Sequence, residues 1–462
     1  MTSLSNREKN MNLLIHNVTV LTNDEQNRVI EHGAVAVEGT TIRATGAYSD
    51  LRQTYGGFRE LDGEGRLLMP GLINAHMHFY GTYARGLALP RQPKDFGEIL
   101  NWLWWTLDKA LDLDGVYYSA LLPALMGVKH GVTSVIDHHA SPHAVEGSLD
   151  KIEEALTLAG VRGLLCYEVS DRDGKAIRDA GLEENARYIG KCREARSTDP
   201  DHLFDGIMGL HASFTLDDDT LRLAVETASA LDRGHHIHVL EGTLDEEETR
   251  RKYGVGVAQR LYEHGIFGAK SIAAHGIYLD AQGMEQVAET DTIVAHNPQS
   301  NMNNAVGRAD IFGLLERGVT VGIGTDGMTP DVKVDVRSGY LMHKHDLRDP
   351  NAGWSAFQKM LLKNNPAIFR RLTGQKVGRI ESGYLADIIL VDYAPPTVFN
   401  GDTLWGHFLY GIADAPVNTT IINGNIVMQD KRIAGIDEEK IARASQEVAK
   451  ATWQRFKEFS GA

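Results

Sequence analysis

Two histidines one residue apart, His76 and His78, end an apolar run that begins at Pro70 and Gly71. In a β-strand, residues i and i+2 point to the same face, so both imidazoles can reach one point. A divalent metal uses such a chelating pair, whereas an apolar core does not. Gly71 would let the backbone approach its neighbours closely at the start of this strand. An ordinary strand with two polar residues at its end would show the same short pattern, so the rest of the chain has to decide.

Four further residues that could bind a metal or move protons follow apolar, strand-like segments: His211, His238, His275 and Asp326. The segment His238-Val239-Leu240-Glu241 also places Glu241 just beyond a strand end. A carboxylate at the position of Asp326 is costly to bury unless it is paired or coordinated. Three imidazoles and one carboxylate form a nitrogen and oxygen ligand set that suits zinc, and also iron or manganese. Alternatively, each histidine is a hydrogen-bonded residue at a strand end, and Asp326 is a helix N-cap.

The elements that position these residues alternate between strand and helix patterns. With the strand that ends at His78, eight candidate strands can be counted; the other seven are 132–137, 162–168, 204–210, 235–240, 271–274, 292–295 and 319–325. Helical patterns lie between them, at 113–129, 149–159, 217–230, 254–264 and 281–288. Eight such units favour a (β/α)₈ TIM-like barrel, whose active sites lie at the carboxyl ends of the strands. A doubly wound open sheet is the alternative, but no G-x-G-x-x-G sequence supports it.

Strand-rich segments without helical alternation flank the predicted barrel. Residues 12–22 and 33–46 are rich in β-formers, 378–391 reads as turn and strand, and 419–427 is a hairpin with Asn-Gly at its turn. The tail, 437–458, is an amphipathic helix. We therefore expect a barrel domain at 69–377 and a small β-sandwich module built from residues 1–68 and 378–462, with the tail helix attached to it.

The composition is that of a soluble globular protein, with 42% hydrophobic and 24% charged residues among 462. A net charge of −15 argues against a nucleic-acid partner. The two cysteines, Cys166 and Cys192, form neither a disulfide framework nor a zinc cluster. Residues 1–10 are polar, lack an apolar signal core and are expected to be disordered, with Met11 as an alternative start. No run is long enough to span a membrane, and we expect a cytoplasmic protein.

Several motifs together resemble the amidohydrolase superfamily, in particular its mononuclear cytosine/guanine-deaminase-like branch and the SsnA-type aminohydrolases within it. The matching segments are 70–78 (PGLINAHMH), 82–86 (TYARG), 131–134 (GVTS), 236–241 (HIHVLE), 273–276 (AAHG), 296–301 (HNPQSN), 324–327 (GTDG) and 383–388 (GYLADI), with Asn423-Gly424. The resemblance covers roughly residues 12–450. It implies the barrel and the β module, and homodimers are usual among such proteins.

The resemblance also implies roles for individual residues. The metal ligands would be His76, His78, His238 and Asp326; the catalytic residues would be Glu241, His275 and Asp326; and His211 would face the substrate. Binuclear relatives carry a bridging lysine at the end of the fourth strand, where this chain has none between Gly209 and Phe214. We therefore expect one divalent ion, zinc in the first place, with Fe²⁺ and Mn²⁺ as alternatives.

These residues together would perform hydrolytic deamination of an amino-substituted nitrogen heterocycle. A divalent metal lowers the pKa of a bound water from 15.7 toward about 7. Asp326 can accept the proton of that water, and His275 can hydrogen-bond the attacking oxygen as charge develops. Glu241 can protonate a ring nitrogen and then the departing amine. Ammonia needs that proton to leave and chloride does not, so Glu241 favours deamination over dechlorination.

The substrate is harder to predict than the reaction. Phe79, Tyr80 and Trp105 could form flat walls for a planar ring, although Trp102 and Trp105 have the i, i+3 spacing of a helix core. Arg172, beyond the third strand, and Asn304, beyond the seventh, could contact polar substituents, as could residues 137–139 (Asp-His-His) if they are not structural.

The residues after His78 bear on which heterocycle is bound. The Pro-Gln that guanine deaminases carry there is absent, which places guanine in doubt. The pattern His-x-His-Phe-Tyr-x-Thr at 76–82 instead resembles relatives that act on oxidised purines, isocytosine-type pyrimidines or triazines. This resemblance favours an isocytosine-type pyrimidine or an oxidised purine such as 8-oxoguanine. The alternatives are an s-triazine-type chlorohydrolase or aminohydrolase, a guanine deaminase, and a non-catalytic oligomeric homologue. The last would be expected to lack at least one of Glu241, His275 and Asp326, and this chain lacks none.

Overall fold

The computed structural model describes residues 12–460, so the predictions for residues 1–10 and Met11 lie outside the described residues. Eighteen strands are present in this range: β1 (Leu13–Leu21), β2 (Val29–Glu38), β3 (Thr41–Ala47), β4 (Arg59–Asp62), β5 (Leu67–Pro70), β6 (Leu72–Met77), β7 (Val132–His139), β8 (Arg162–Tyr167), β9 (Phe204–Gly206), β10 (Met208–Ala212), β11 (His235–Val239), β12 (Ile272–His275), β13 (Ile293–His296), β14 (Val321–Ile323), β15 (Ile388–Val391), β16 (Val417–Ile422), β17 (Asn425–Gln429) and β18 (Arg432–Ile433).

Seventeen α-helices accompany these strands within residues 12–460: α1 (Tyr48–Tyr55), α2 (Phe96–Ile99), α3 (Trp105–Ala110), α4 (Leu113–Lys129), α5 (Ser148–Ala159), α6 (Lys175–Thr198), α7 (Asp218–Ala230), α8 (Thr243–Tyr253), α9 (Val257–Glu263), α10 (Ala281–Glu289), α11 (Pro298–Asn303), α12 (Ile311–Glu316), α13 (Val332–Leu347), α14 (Trp354–Lys359), α15 (Asn365–Thr373), α16 (Leu404–His407) and α17 (Glu438–Ser460). Short 3₁₀ helices occupy Phe79–Ala84 and Ser213–Thr215, and π-helical turns occupy Leu100–Trp104, Met360–Asn364 and Phe408–Ile412. None of the helices described here is long and apolar enough to cross a membrane.

The central strands form two parallel sheets, β6-β7-β8-β9 and β10-β11-β12-β13-β14. Backbone hydrogen bonds join the two sheets: the nitrogen of Val169, just after β8, donates to the oxygen of Gly209 at 3.2 Å, and the nitrogen of Thr325 donates to the oxygen of His76 at 2.8 Å. The expected parallel α/β core is therefore present. The strand pairing divides it into two sheets, because only isolated bridges connect β6 with the end of β14 and the end of β8 with β10.

The N- and C-terminal segments share a mixed sheet with the order β18-β17-β16-β15-β5-β1-β2-β3, in which β4 also pairs with β1. Asn423-Gly424 forms the turn between β16 and β17, as the sequence indicates. A fully buried ion pair between Arg162 of β8 and Asp387 joins this sheet to the parallel core, with guanidinium nitrogens 3.0 and 3.1 Å from the carboxylate oxygens. Strands that are distant in sequence therefore pack as one layer beside the core.

Helix α4 shows how closely one helical pattern agrees with the structure. Helix α4 occupies the predicted range, and the Asp112 carboxylate caps it by accepting a hydrogen bond from the nitrogen of Gly115. The 24-residue helix α6 was not predicted. Its buried face includes Arg178, Glu184 and Asn185, and these polar residues interrupt the apolar period that identifies a helix in a sequence.

Candidate active site

The site begins at the carboxyl end of β6, where His76 is the last but one residue of the strand and His78 follows it. Their rings lie with centroids 4.8 Å apart. Nδ1 of His76 is 2.8 Å from Nε2 of His236, and Nδ1 of His78 donates to the oxygen of His138 at 2.5 Å. Both rings therefore keep Nε2 available on the same side, as the i, i+2 spacing predicts.

His238 and Asp326 extend toward the same point from β11 and from the segment that follows β14. Nε2 of His78 lies 3.1 Å from Nε2 of His238 and 3.0 Å from Oδ1 of Asp326. Nε2 of His76 is 3.8 Å from that oxygen and has no hydrogen-bond partner within residues 12–460, although it is completely buried. The four predicted ligands therefore converge, with an unpartnered nitrogen in their midst.

The charges in this cluster favour a cation. Although burial alone would lower it, Asp326 raises the pKa of the His78 imidazole to about 9. Burial opposes ionisation of Asp326 too, but the hydrogen bond from His78 holds the pKa of its carboxyl far below the ordinary value. Burial and the neighbouring histidines lower the pKa of His76 and His238, which favours neutral imidazoles. His76 and His238 are therefore in the neutral form that metal binding requires, whereas His78 would give up its proton when a metal binds.

Left-handed backbone conformations occur at three strand ends around the site: φ is 52° at Leu240, 73° at His275 and 52° at Asp326. Side chains other than glycine adopt this region at a cost of roughly 1–2 kcal/mol, and such residues tend to occur at functional sites. Gly324 permits the close approach that places Asp326, because a Cβ atom there would lie 2.6 Å from the oxygen of His76.

Glu241 and His275 face each other beside Asp326. Nε2 of His275 is 3.6 Å from Oε2 of Glu241 and 3.7 Å from Oδ2 of Asp326. Each catalytic candidate has an amide partner in the segment after β13. Asn301 Oδ1 lies 2.9 Å from Nδ1 of His275, and the side-chain amide of Asn304 donates to Oε1 of Glu241 at 3.2 Å. Burial raises the pKa of Glu241 to about 7, so a large fraction of this carboxyl is protonated at neutral pH.

A cavity opens above these groups. His78, His238, Glu241 and Asp326 line its inner side. Aromatic side chains form much of the rest, namely Tyr80, Phe96, Trp104 and Trp105. No lysine or arginine among the described residues lines this cavity, whereas three carboxylates do. The cavity therefore suits a planar ring that carries no negative charge.

The structure places the predicted substrate contacts in two groups. His211, Tyr80, Trp105 and Asn304 line the cavity. His211 is held by Thr215, whose Oγ1 is 2.7 Å from its Nδ1, and burial lowers the pKa of His211 to about 4. Trp105, the first residue of α3, lines the cavity in addition to packing within the helix.

Phe79 and Arg172, which the sequence suggested as substrate contacts, point elsewhere. Phe79 is 1% exposed and packs in the core, because the chain turns into a 3₁₀ helix directly after His78. Arg172 pairs with Asp108 and lies 3.3 Å from Asp173. These two carboxylates neutralise Arg172, which does not line the cavity.

Glu168 is an acidic cavity residue that the sequence motifs did not single out. It follows β8, is 5% exposed and lines the cavity. One oxygen lies 3.1 Å from Nδ1 of His138, and the other lies 3.7 Å from Nε2 of His211. Although burial opposes ionisation, these histidines hold the pKa of Glu168 well below its ordinary value. An acidic residue at the end of an apolar strand is the same signal that identified Asp326, so the sequence did contain it.

Parallel α/β folds with a cluster of imidazoles and carboxylates at the strand ends occur in metal-dependent hydrolases. The family model described as "Amidohydrolase family" matches residues 67–427, which is most of the chain. The chain therefore belongs to the amidohydrolase family, as the motifs indicated.

Curated relatives match over nearly the full length. A 5-methylthioadenosine/S-adenosylhomocysteine deaminase from Pelotomaculum thermopropionicum is 30% identical over 445 residues, covering 95% of this chain and 98% of that protein. A 5'-deoxyadenosine deaminase from Methanosarcina mazei is 29% identical, covering 95% of this chain and 97% of that protein.

One solved structure, a zinc-bound adenosine deaminase from Xanthomonas campestris, has the same fold, with a TM-score of 0.82, 22% identity and coverage of 96% of this chain and 99% of that one. The zinc complex of an atrazine chlorohydrolase from Arthrobacter aurescens is also similar, with a TM-score of 0.78, 22% identity and coverage of 95% and 100%.

Proposed function

We propose that the protein is a metal-dependent hydrolytic deaminase of an amino-substituted nitrogen heterocycle. His76, His78, His238 and Asp326 would hold one divalent ion, most simply Zn²⁺, with Fe²⁺ and Mn²⁺ as alternatives. The unpartnered Nε2 of His76 and the pairing of Asp326 with His78 support this ligand set. When bound, the ion would supply a water-derived nucleophile at neutral pH.

The remaining chemistry belongs to side chains around the cavity. Water adds its oxygen to the ring carbon that bears the amine, and Asp326 accepts the proton that the water loses. Nε2 of His275, whose ring is oriented by the contact between Nδ1 and Asn301, would face that oxygen. Glu241, held by Asn304, protonates the adjacent ring nitrogen, takes up the proton of the new hydroxyl group and delivers it to the amine. The proton held by Asp326 then restores Glu241. The carbon–nitrogen bond then breaks, ammonia leaves, and the ring carries a carbonyl in place of the amine.

The observation that carries this proposal is that His275 lies against both Glu241 and Asp326, two carboxylates that line the aromatic cavity. The raised pKa of Glu241 supports its role, because a general acid must hold its proton near the working pH. The deaminase names of relatives such as the Pelotomaculum protein agree with the same reaction.

Two substrate classes fit the proposal. The relatives named above act on adenosine-type nucleosides by their names, which favours a 6-amino purine. The segment after His78 instead favours an isocytosine-type pyrimidine or an oxidised purine such as 8-oxoguanine. Both present an amine on a carbon next to a ring nitrogen, which is the arrangement that Glu241 would protonate.

Hydrolysis of a chlorinated triazine is the competing reaction, since an atrazine chlorohydrolase shares the fold. The decisive experiment assays the purified protein, after metal analysis, for ammonia and for chloride. Aminopurines, aminopyrimidines and atrazine would be tested side by side. We expect one metal equivalent and ammonia release without loss of the ring chromophore. Chloride release without ammonia, or metal-replete protein inactive on the whole panel, would contradict the proposal.

We also propose a domain architecture, an oligomeric state and a cellular location for the protein. The two parallel sheets would be the halves of a (β/α)₈ barrel at 69–377, and the terminal sheet would belong to a β-sandwich module of residues 1–68 and 378–462. A cytoplasmic homodimer without nucleic-acid or membrane partners fits the composition and the family analogy. Size measurement in solution with multi-angle light scattering tests the dimer.

A further inference from the structure

We propose that Glu168 is a specificity-determining residue that accepts a hydrogen bond from a ring N–H on the edge of the substrate away from Glu241. This inference rests on the proposed deaminase function and narrows its substrate class. The favoured substrate is then an amino-heterocycle with an N–H group of the lactam type on that edge. A ring with only acceptor nitrogens there would be disfavoured.

The side chains around Glu168 leave part of its carboxylate unused. One oxygen has Nδ1 of His138 at 3.1 Å. The nearest ring nitrogen to the other oxygen, Nε2 of His211, is 3.7 Å away, beyond hydrogen-bond distance. A carboxylate has about four acceptor positions, and a 5% exposed one reaches little bulk water. Because Glu168 lines the cavity, a donor on the ligand can satisfy the open oxygen.

The depth of Glu168 determines which part of the substrate reaches it. A carboxylate oxygen of Glu168 and ring nitrogens of His78, His138 and His238 all lie within 4.8 Å of one another. His78 and His238 are proposed metal ligands, and the reacting ring of the substrate would bind next to the metal. A substrate group that contacts Glu168 therefore belongs to the reacting ring. A sugar or another distant substituent would instead extend toward the mouth of the cavity.

Charge and hydrogen-bond capacity then select the edge of the ring. An ionised carboxylate only accepts hydrogen bonds, so a ring nitrogen with a lone pair facing it would be repelled. The nearest cation on this side, Arg172, is paired with Asp108 and does not line the cavity. Nothing in the lining therefore offsets the preference of Glu168 for a donor.

Pairs of compounds with the same reacting amine test this inference. Isocytosine carries a ring N–H that 2-aminopyrimidine lacks, and 8-oxoadenosine carries an N7–H where adenosine has a lone pair. Wild-type protein and the variants Glu168→Gln and Glu154→Gln would be assayed for ammonia release with each compound, alongside metal content. Glu154 is a matched control, because its side chain is 52% exposed on α5, away from the cavity.

We expect Glu168→Gln to lower kcat/KM for the better of the two N–H substrates by about tenfold to a hundredfold, the cost of losing a charge-assisted hydrogen bond. The partner compound without N–H should change less than about threefold, and metal content should stay the same. Equal losses on both members of a pair, or a loss of metal, would show that Glu168 only positions His138 and would overturn the inference. Wild-type preference for adenosine over 8-oxoadenosine, lost in Glu168→Gln, would overturn it as well.

A binding measurement separates this inference from the proposed function. If no compound releases ammonia, the deaminase proposal fails, but ligand-induced shifts in Tm still report recognition. Isocytosine should then raise the Tm of wild-type protein and of Glu154→Gln more than 2-aminopyrimidine does, and Glu168→Gln should lose this difference. Equal shifts for both compounds in wild-type protein would refute the role of Glu168 whatever the reaction is.

Discussion

Nδ1 of His76 lies 2.8 Å from Nε2 of His236, and both side chains are fully buried. If Nδ1 carries the hydrogen and donates it, Nε2 of His76 presents its lone pair to the proposed metal. His236 therefore fixes the tautomer and the orientation of a proposed ligand without contacting the metal itself.

Replacing His236 tests this arrangement. His236→Leu should weaken zinc binding by about tenfold to a hundredfold, the usual cost of losing such a partner. His236→Gln should restore most of the affinity, because its amide oxygen can accept the hydrogen bond from Nδ1. Zinc affinity would be measured by competition with a chromophoric chelator. An unchanged affinity in His236→Leu would contradict the positioning role.

Glu241 is the residue whose substitution should separate metal binding from catalysis. Glu241→Gln should keep the full metal content and lose on the order of 10²–10⁴-fold in kcat, because the amide cannot transfer a proton to the ring or to the amine. Glu226→Gln is a matched control, since that side chain is 59% exposed on α7. Metal content and ammonia release would be measured on the same samples. Full activity in Glu241→Gln would remove Glu241 from the mechanism.

The removal of Asp326 should instead affect the metal. Asp326→Ala leaves His78 without the carboxylate 3.0 Å from its Nε2, so the site loses the only anionic ligand of the proposed set. We expect purified Asp326→Ala to contain well under half an equivalent of metal and to have no measurable activity. Asp232→Ala, at an 81% exposed position, should behave as wild type. Undiminished metal in Asp326→Ala would exclude Asp326 as a ligand.

The convergence of the four proposed ligands could be predicted from the sequence because its geometry follows from two simple rules. Alternation along β6 directs His76 and His78 to one face, and the carboxyl ends of parallel strands meet at one edge. His238 is the last but one residue of β11, and Asp326 follows β14. Their convergence therefore required only the correct strand order. The strands themselves were recognisable as short apolar segments between helical patterns.

The cavity walls could not be predicted in the same way, because they depend on tertiary contacts. The chain leaves the strand after His78 and enters a 3₁₀ helix, which turns Phe79 into the core. The sequence spacing between His76 and Phe79 does not indicate this change of direction. Arg172 is neutralised by Asp108, a residue 64 positions away that only the folded chain brings beside it. Glu168 carried a usable signal at the end of β8 but belonged to no recognisable motif. Substrate specificity depends on these tertiary contacts, and for this reason it could not be predicted from the sequence as well as the proposed metal site could.

A buried histidine outside the catalytic cluster makes the stability of the protein depend on pH. His235 is 4% exposed, its Nδ1 donates to the oxygen of Ile266 at 3.1 Å, and burial lowers its pKa to about 4. In the unfolded chain an ordinary histidine has a pKa of about 6.5. Below that pH the unfolded state binds a proton that the folded state does not, so the contribution of His235 to stability is present above pH 6.5 and is lost as the pH falls toward 4.

His235→Asn removes this titration but keeps a donor for Ile266. Between pH 7 and pH 5 the free energy of unfolding of wild-type protein should fall by roughly 1–2 kcal/mol more than that of His235→Asn. Urea unfolding at the two pH values measures the difference. His345→Asn, at an exposed position on α13, should show the same pH dependence as wild type. Parallel losses in wild type and His235→Asn would mean that other buried groups, not His235, govern the stability of the protein in acid.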